Sequence, residues 1–242
     1  MDKTHKNIKY IVGIDEVGRG PIAGPVAVCA FMAKDDDFLL FCSNVDYLKE
    51  KKLPKLKDSK KLSKKQREEW FEYLKVAKAE GFCDYSVSFV SSENIDKFGI
   101  AKCIQKALNK SLEKVVSHNS FNKVASQQFP NFPRFTPEGP YADENFGIPV
   151  SLDSLSIFLD GGLHASKEYI NQETIIKGDE LHPVISMASI MAKVSRDRIM
   201  EKYAKVYPEY GFEKHVGYGT KAHYEAIKKH GQTPIHRKTF IH

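Results

Sequence analysis

An apolar segment that runs straight into two acids and then a glycine-rich turn constrains this chain most. Residues 9–14, KYIVGI, read as a short β-strand. Asp15 and Glu16 follow, then Gly18-Arg19-Gly20, and residues 24–33, GPVAVCAFMA, read as a second strand entered through that turn. Successive side chains on a regular strand point to opposite faces. Asp15 and Glu16 can therefore meet one metal ion only if the strand ends or bulges beside them, which Gly18 and Gly20 allow.

The rest of the chain alternates helices and strands. Ser63 and Gln66 form a capping box for a helix through Trp70, Phe71, Leu74 and Ala77 that Gly81 can stop. In residues 82–90, Tyr85, Val87 and Phe89 alternate as a half-buried strand requires. Residues 93–116 return to helical period, with Ile104, Leu108, Leu112 and Val115 on one face. LSIFL at 155–159 is a short buried strand ending at Asp160, and ETIIKGD at 173–179 is another, with Asp179 at its end. Residues 184–205 read as a helix whose small residues allow close packing, and a last helix is capped by Thr220 and stopped near Gly231. Residues 117–152 hold five prolines and read as a surface insertion. The first strands follow each other closely, so the expected class is α/β with a mixed central sheet flanked by helices.

Four acids at the ends of neighbouring strands would repel one another without cations. Asp15, Glu16, Asp160 and Asp179 offer hard oxygen ligands, which suit Mg²⁺ or Mn²⁺ better than zinc. Two such ions about 3.5–4 Å apart support phosphodiester hydrolysis, one activating water and the other stabilising the leaving oxygen. A single Asp at a strand end more often caps a turn, so spacing alone leaves both readings open. Gly18, Gly20 and Ala23 also match the dinucleotide-binding fingerprint. That fingerprint opens a helix, however, whereas Pro21 and Pro25 here lead into a strand-like segment. The sequence contains no P-loop motif and no zinc-protease histidine spacing.

Composition narrows the classes further. The chain has 242 residues, enough for one large domain or one with an appendage, and 41% of them are apolar, so a packed core is feasible. Its formal charge of +6 is compatible with a polyanionic partner, and residues 49–67 hold ten Lys or Arg against two acids. Cys29, Cys42, Cys83 and Cys103 form no C-x-x-C pair and sit beside apolar residues. Reduced thiols and a cytoplasmic location are expected, with no membrane span.

The motifs taken in order resemble those of the ribonuclease HII family, a type 2 ribonuclease H. The resemblance is carried by GIDEVGRGPIAGPVAVCA from Gly13, DSKKLS at 58–63, DGG at 160–162, KGDELHPVISMASIMAKVSRD at 177–197 and YGFEKHVGYGTKAHYEAIKKHGQTPIHRKTF at 210–240. It implies a ribonuclease H-like catalytic domain over 1–205 and a helical, substrate-binding C-terminal appendage over 206–242. It implies a monomeric enzyme that cuts RNA in RNA/DNA hybrids. It also implies cutting 5′ of a single ribonucleotide in duplex DNA, leaving a 5′-phosphate and a 3′-hydroxyl. Asp15, Glu16, Asp160 and Asp179 match the catalytic, metal-binding acids. Gly18, Arg19 and Gly20 match the reader of the ribose 2′-hydroxyl, where glycine backbone can approach a sugar closely. Tyr218 matches the tyrosine that packs on the next deoxyribose. Ser59, Lys60 and Lys61 are candidate phosphate contacts, or a solvated lysine-rich loop. Lys193 reaches the scissile phosphate or balances buried acids, Arg196 and Asp197 read as a helix-surface ion pair, and His236 and Arg237 order the tail. Two departures stand out: the long 117–152 insertion, and Val216 where the motif more often has a basic residue.

Overall fold

The structure, a computed structural model, describes residues 10–35, 48–49, 53–54, 56, 61–117 and 150–241. Its centre is a five-stranded sheet of order β3-β2-β1-β4-β5. The strands are β1 (Tyr10–Val17), β2 (Val26–Lys34), β3 (Cys83–Val90), β4 (Leu155–Asp160) and β5 (Gln172–Ile175). β1, β2 and β3 pair antiparallel, while β1 with β4 and β4 with β5 pair parallel. The mixed sheet follows from chain economy: a short glycine turn joins β1 to β2 antiparallel, whereas β4 returns parallel after a long excursion.

Helices cover both faces. α1 (Lys64–Ala79) opens with the expected capping box, both of its hydrogen bonds present, and buries Trp70, Phe71, Leu74 and Ala77. The single helix expected over 93–116 is two, α2 (Ser92–Phe98) and α3 (Ile100–Ser117), because Gly99 takes a positive φ of 80° and breaks the run. The short α4 (Gly178–Leu181) leads into the long α5 (Pro183–Val206); α6 (Phe212–His215) and α7 (Lys221–His230) follow. Thr220 caps α7 by accepting from the His223 amide at 3.3 Å. Among the described residues no helix is long and apolar enough to cross a membrane. Cys29, Cys83 and Cys103 are free and buried, while Cys42 and most of the 117–152 insertion lie outside the described residues.

Strand alternation divides the core. Ile11 of β1 and Ala27, Cys29, Phe31 and Ala33 of β2 face α5 and α1, whereas Val12, Ile14, Val28, Ala30 and Met32 face α3. In β3 the better-buried face differs from the expected one: Ser86 and Ser88 are buried, while Tyr85 and Val87 are only partly covered. Small serines let α3 lie close to the sheet, a packing reason that apolar alternation does not register. A third apolar cluster gathers Ala23, Met200, Tyr210, Phe212 and Ile235 around the C-terminal segments.

A close backbone contact in this framework lies between α5 and β1. A Cβ built on Gly13 would stand 2.2 Å from the Val184 carbonyl oxygen and 2.7 Å from the Ile185 nitrogen, both backbone atoms. Only glycine lets the start of the helix lie on the strand. Gly13→Ala is expected to cost about 3 kcal/mol or more, since neither backbone can yield cheaply. Urea unfolding of the two proteins measures this, and an unchanged midpoint would show that the helix is free to shift.

Candidate active site

β1 does not stop before the acids. It runs regularly to Val17 in unbroken register with β2, pairing Asp15 with Cys29 and Glu16 with Val28. The strand end expected beside Asp15 and Glu16 is thus at Val17, one residue past Glu16 and with no bulge before it, because β2 continues alongside and holds the pleat that far. Asp15 takes the α5 side and is buried, and Glu16 takes the opposite side with its carboxylate partly exposed. The opening lies along the other edge of β1. Parallel pairing with β4 ends at Ile14–Leu159, so Asp160 stands one step beyond, next to Asp15 on a strand about 4.8 Å away. By alternation with the buried Leu155, Ile157 and Leu159 beneath α3, Asp160 also points to the α5 side.

Asp179 does not end a strand, as the sequence reading expected. β5 stops at Ile175, Lys177 adopts a left-handed conformation at φ 55°, and Asp179 lies buried in the first turn of α4. The turn is tied to the site: the Gly178 amide donates to Asp160 Oδ1 at 2.6 Å, and Ser186 Oγ of α5 donates to the Asp179 carbonyl at 2.6 Å.

Burial, above all, holds the Asp15 carboxyl well above the usual carboxylate range. A hydrogen bond from Ser189 of α5 opposes this, and the nearby Glu16, Asp160 and Asp179 charges raise it further. Burial raises Glu16 as well; the Arg19 guanidinium, 3.4 Å away, pulls it down and Asp160 pushes it up. A cluster of hard carboxylate oxygens that disfavours its own ionisation fits a divalent cation, which would remove the repulsion. Among the described residues no three His, Cys, Asp or Glu side chains converge closely enough to cage an ion. A shared cation would therefore draw the carboxylates inward.

The glycine turn borders these acids. Gly18 has φ +92°, and a Cβ on it would meet Arg196 Nε at 2.2 Å, so glycine is required there by the protein's own interior. Gly20 differs: the nearest atom to its Cβ position is Tyr218 Cε1 at 3.9 Å, which sets an exposed aromatic edge beside open backbone. Two fully buried arginines underlie the turn. Arg196 Nε, Nη1 and Nη2 donate to the carbonyls of Pro25, Val216 and Ala23 at 2.8, 2.9 and 3.2 Å. Arg237 Nε, Nη1 and Nη2 donate to those of Gly24, Arg19 and Gly18 at 2.9, 3.0 and 2.7 Å. The expected surface pair of Arg196 with Asp197 is thus replaced by a buried carbonyl clamp, and Asp197 instead accepts from Lys193 at 2.8 Å. Helical spacing alone could not have shown that the Arg196 side of α5 faces a loop 171–173 residues earlier in sequence. Val216, whose carbonyl serves the clamp, sits in the left-handed region at φ 43°.

Tyr218 is braced from behind. Its carbonyl lies 2.9 Å from His223 Nδ1, and His223 Nε2 lies 3.1 Å from His236 Nε2. His236 Nδ1 accepts from the Thr233 amide at 2.8 Å. This chain of contacts is satisfied when both rings are neutral, and burial pushes His223 down to about 4, consistent with that state. Lys61 approaches Glu180 at 3.6 Å. Ser59 and Lys60 lie outside the described residues.

Comparison with known proteins bears on the family and the fold. The family model described as Ribonuclease HII matches residues 12–154 and 150–242. The ribonuclease HII of Clostridioides difficile is 38% identical over 236 residues, which is 98% of this chain and 71% of that protein. The one from Endomicrobium trichonymphae is 36% identical, covering 98% of this chain and 87% of its own length. Among solved structures, the RNase HII of Archaeoglobus fulgidus, in complex with PCNA, aligns with a TM-score of 0.58 at 23% identity, over 96% of this chain and 95% of that one. Bst-RNase HIII in complex with Mn²⁺ aligns with a TM-score of 0.57 at 15% identity, over 96% and 67%. At these identities the solved structures speak to the fold, which is the ribonuclease H-like one expected from the sequence.

Burial of Asp15 among like charges has a measurable consequence. In EDTA, Asp15→Asn is expected to be more stable than the parent by about 1–2 kcal/mol, because it removes a buried charge among like charges. Added Mn²⁺ should narrow or reverse the gap. Urea unfolding with and without the ion tests both parts, and a less stable variant in EDTA would show that the acids do not strain one another.

Proposed function

We propose, from the premise that this chain belongs to the ribonuclease HII family, that Asp15, Glu16, Asp160 and Asp179 form its catalytic centre and that the Gly18-Arg19-Gly20 turn with Tyr218 selects the scission site. Membership makes it a ribonuclease H, an endoribonuclease of RNA/DNA hybrids that depends on a divalent metal. The finer reading is cleavage 5′ of a single ribonucleotide embedded in duplex DNA. The observation that carries it is the adjacency of the two parts, since the strand that bears Asp15 and Glu16 runs directly into the turn beside Tyr218.

Asp15, Glu16 and Asp160 would hold one cation, and Asp179 would complete a second site. Two divalent ions, Mg²⁺ or Mn²⁺, supply when bound the Lewis acidity that activates water and stabilises the leaving 3′ oxygen. Ser189 orients the Asp15 carboxylate from α5, and the Gly178 amide orients Asp160. Exposed turn backbone at Arg19 and Gly20 meets the ribose 2′-hydroxyl, the group that distinguishes RNA from DNA. The half-exposed Tyr218 ring packs on the following deoxyribose, a contact that tolerates any base sequence. The products are a 5′-phosphate and a 3′-hydroxyl. On this reading residues 206–242 form a substrate-binding appendage to a catalytic domain over 1–205, and the enzyme works as a monomer. The lysine-rich segment at 49–67, including Ser59 and Lys60, supplies sequence-independent phosphate affinity that weakens with salt.

A DNA duplex carrying one ribonucleotide, incubated in Mg²⁺ or Mn²⁺, should be cut once on its 5′ side. Asp15→Asn should slow this on the order of a thousandfold while leaving duplex binding intact. Mapping the ends on a denaturing gel reads the site directly. A bound but uncut duplex would favour a non-catalytic hybrid binder, and cleavage undiminished in the variant would remove Asp15 from the centre.

A further inference from the structure

We propose that Arg237 is a positioning residue for sugar recognition: its guanidinium fixes two successive peptide groups of the Gly18-Arg19-Gly20 turn so that the N–H groups of Arg19 and Gly20 are presented together to a ribose 2′-hydroxyl. The proposal rests on the reading of that turn given above. Its geometry comes from the planar, trans peptide. The Gly18 carbonyl accepts from Arg237 Nη2 at 2.7 Å and the Arg19 carbonyl from Nη1 at 3.0 Å, so both carbonyls point at one guanidinium. In a trans peptide the N–H points opposite to the C=O. The N–H of Arg19 and the N–H of Gly20 therefore both point away from Arg237. Burial follows the same division, since Gly18 and Arg237 are buried while Arg19 and Gly20 are exposed. Adjacent outward amides of this kind bind oxygen acceptors, and the Tyr218 ring edge lies beside them.

The clamp is itself held in place. Arg237 Nε donates to the Gly24 carbonyl, and its own backbone N–H donates to Ile22 O at 2.8 Å, which fastens the C-terminal segment to the far end of the turn. Arg196 fastens Ala23, Pro25 and Val216 from the other side, two residues before Tyr218. Burial, together with the neighbouring Arg196 cation, pushes Arg237 down to about 9, which leaves it charged and fully donating at neutral pH. A lysine could supply the charge at this position but not the planar fork that reaches three carbonyls.

Arg237→Lys is the discriminating variant. Two duplexes are compared by fluorescence anisotropy in Ca²⁺, identical except that one carries a single ribonucleotide and the other the matching deoxynucleotide. The parent is expected to prefer the ribonucleotide duplex, and Arg237→Lys should lose about tenfold of that preference, the worth of a hydrogen bond or two. Its affinity for the all-DNA duplex should stay near the parent's, while its urea midpoint falls, because buried carbonyls lose their donors. A folded variant that keeps the preference overturns the positioning role and leaves the reading of the turn standing. A parent with no preference overturns both. If Arg237→Lys does not fold, the Arg237 Nη–H signals and the Arg19 and Gly20 amide signals of the parent are read together. Nη–H protons slow to exchange, with amide shifts for the ribonucleotide duplex but not the all-DNA duplex, support the proposal, and Nη–H protons that exchange as freely as those of an exposed arginine overturn it.

Discussion

Helix α5 can lie on strand β1 only because residue 13 has no side chain, and most of the site hangs from that contact. Val184 and Ile185 touch the strand at Gly13. One turn further on, Ser189 bonds the Asp15 carboxyl, and two turns beyond that Arg196 fills the space at Gly18. Before the helix begins, α4 delivers Asp179 and the Gly178 amide to Asp160. A helix set further out would leave Asp15 facing solvent, Asp179 displaced from its neighbours and the glycine turn without its inner support. Close packing here positions chemistry as well as burying surface.

The price of this arrangement is electrostatic. Four carboxylates are brought to the same edge of the sheet, and burial raises Asp15 and Glu16 before any cation arrives. A fold selected for stability alone would place apolar or neutral groups there. The arrangement is intelligible as that of a protein completed by divalent ions, in keeping with the metal dependence of its family. The turn beside the acids follows the opposite logic. Its carbonyls are satisfied by the donors of Arg196 and Arg237, so the backbone at Arg19 and Gly20 is held in place by the protein itself. On the proposed function, a centre that needs its ligand thus sits next to a turn that is already organised.

Much of this was legible in the sequence, and the failures have physical causes. The capping box at Ser63, the cap at Thr220 and the buried stripe of α3 are local signals, and each appears as expected. Acids at the ends of neighbouring strands were expected, and the parallel pairing of β1 with β4, which ends one residue short of Asp15 and Asp160, sets these two side by side. The end of β1 was misread because apolar content fell at Asp15, while backbone pairing with β2 continued for three more residues. The Asp179 turn was misread because Lys177 adopts a left-handed conformation that few non-glycine residues take. Arg196, read as half of a surface ion pair, was the largest misreading, and Arg237, read as ordering the tail, clamps the glycine turn as well. A buried arginine whose partners are backbone carbonyls leaves no complementary acid for a sequence pattern to reveal.

The central claim is that Asp15, Glu16, Asp160 and Asp179 share divalent cations next to the Gly18-Arg19-Gly20 turn. A crystal structure with Mn²⁺ and an uncleavable ribonucleotide-containing duplex tests it most directly, through anomalous scattering from the metal. The expected result is manganese peaks within coordination distance of Asp15 and Asp160, with the ribose 2′-oxygen against the amides of Arg19 and Gly20. Manganese bound elsewhere, with these carboxylates unligated while the duplex is in place, would contradict the account.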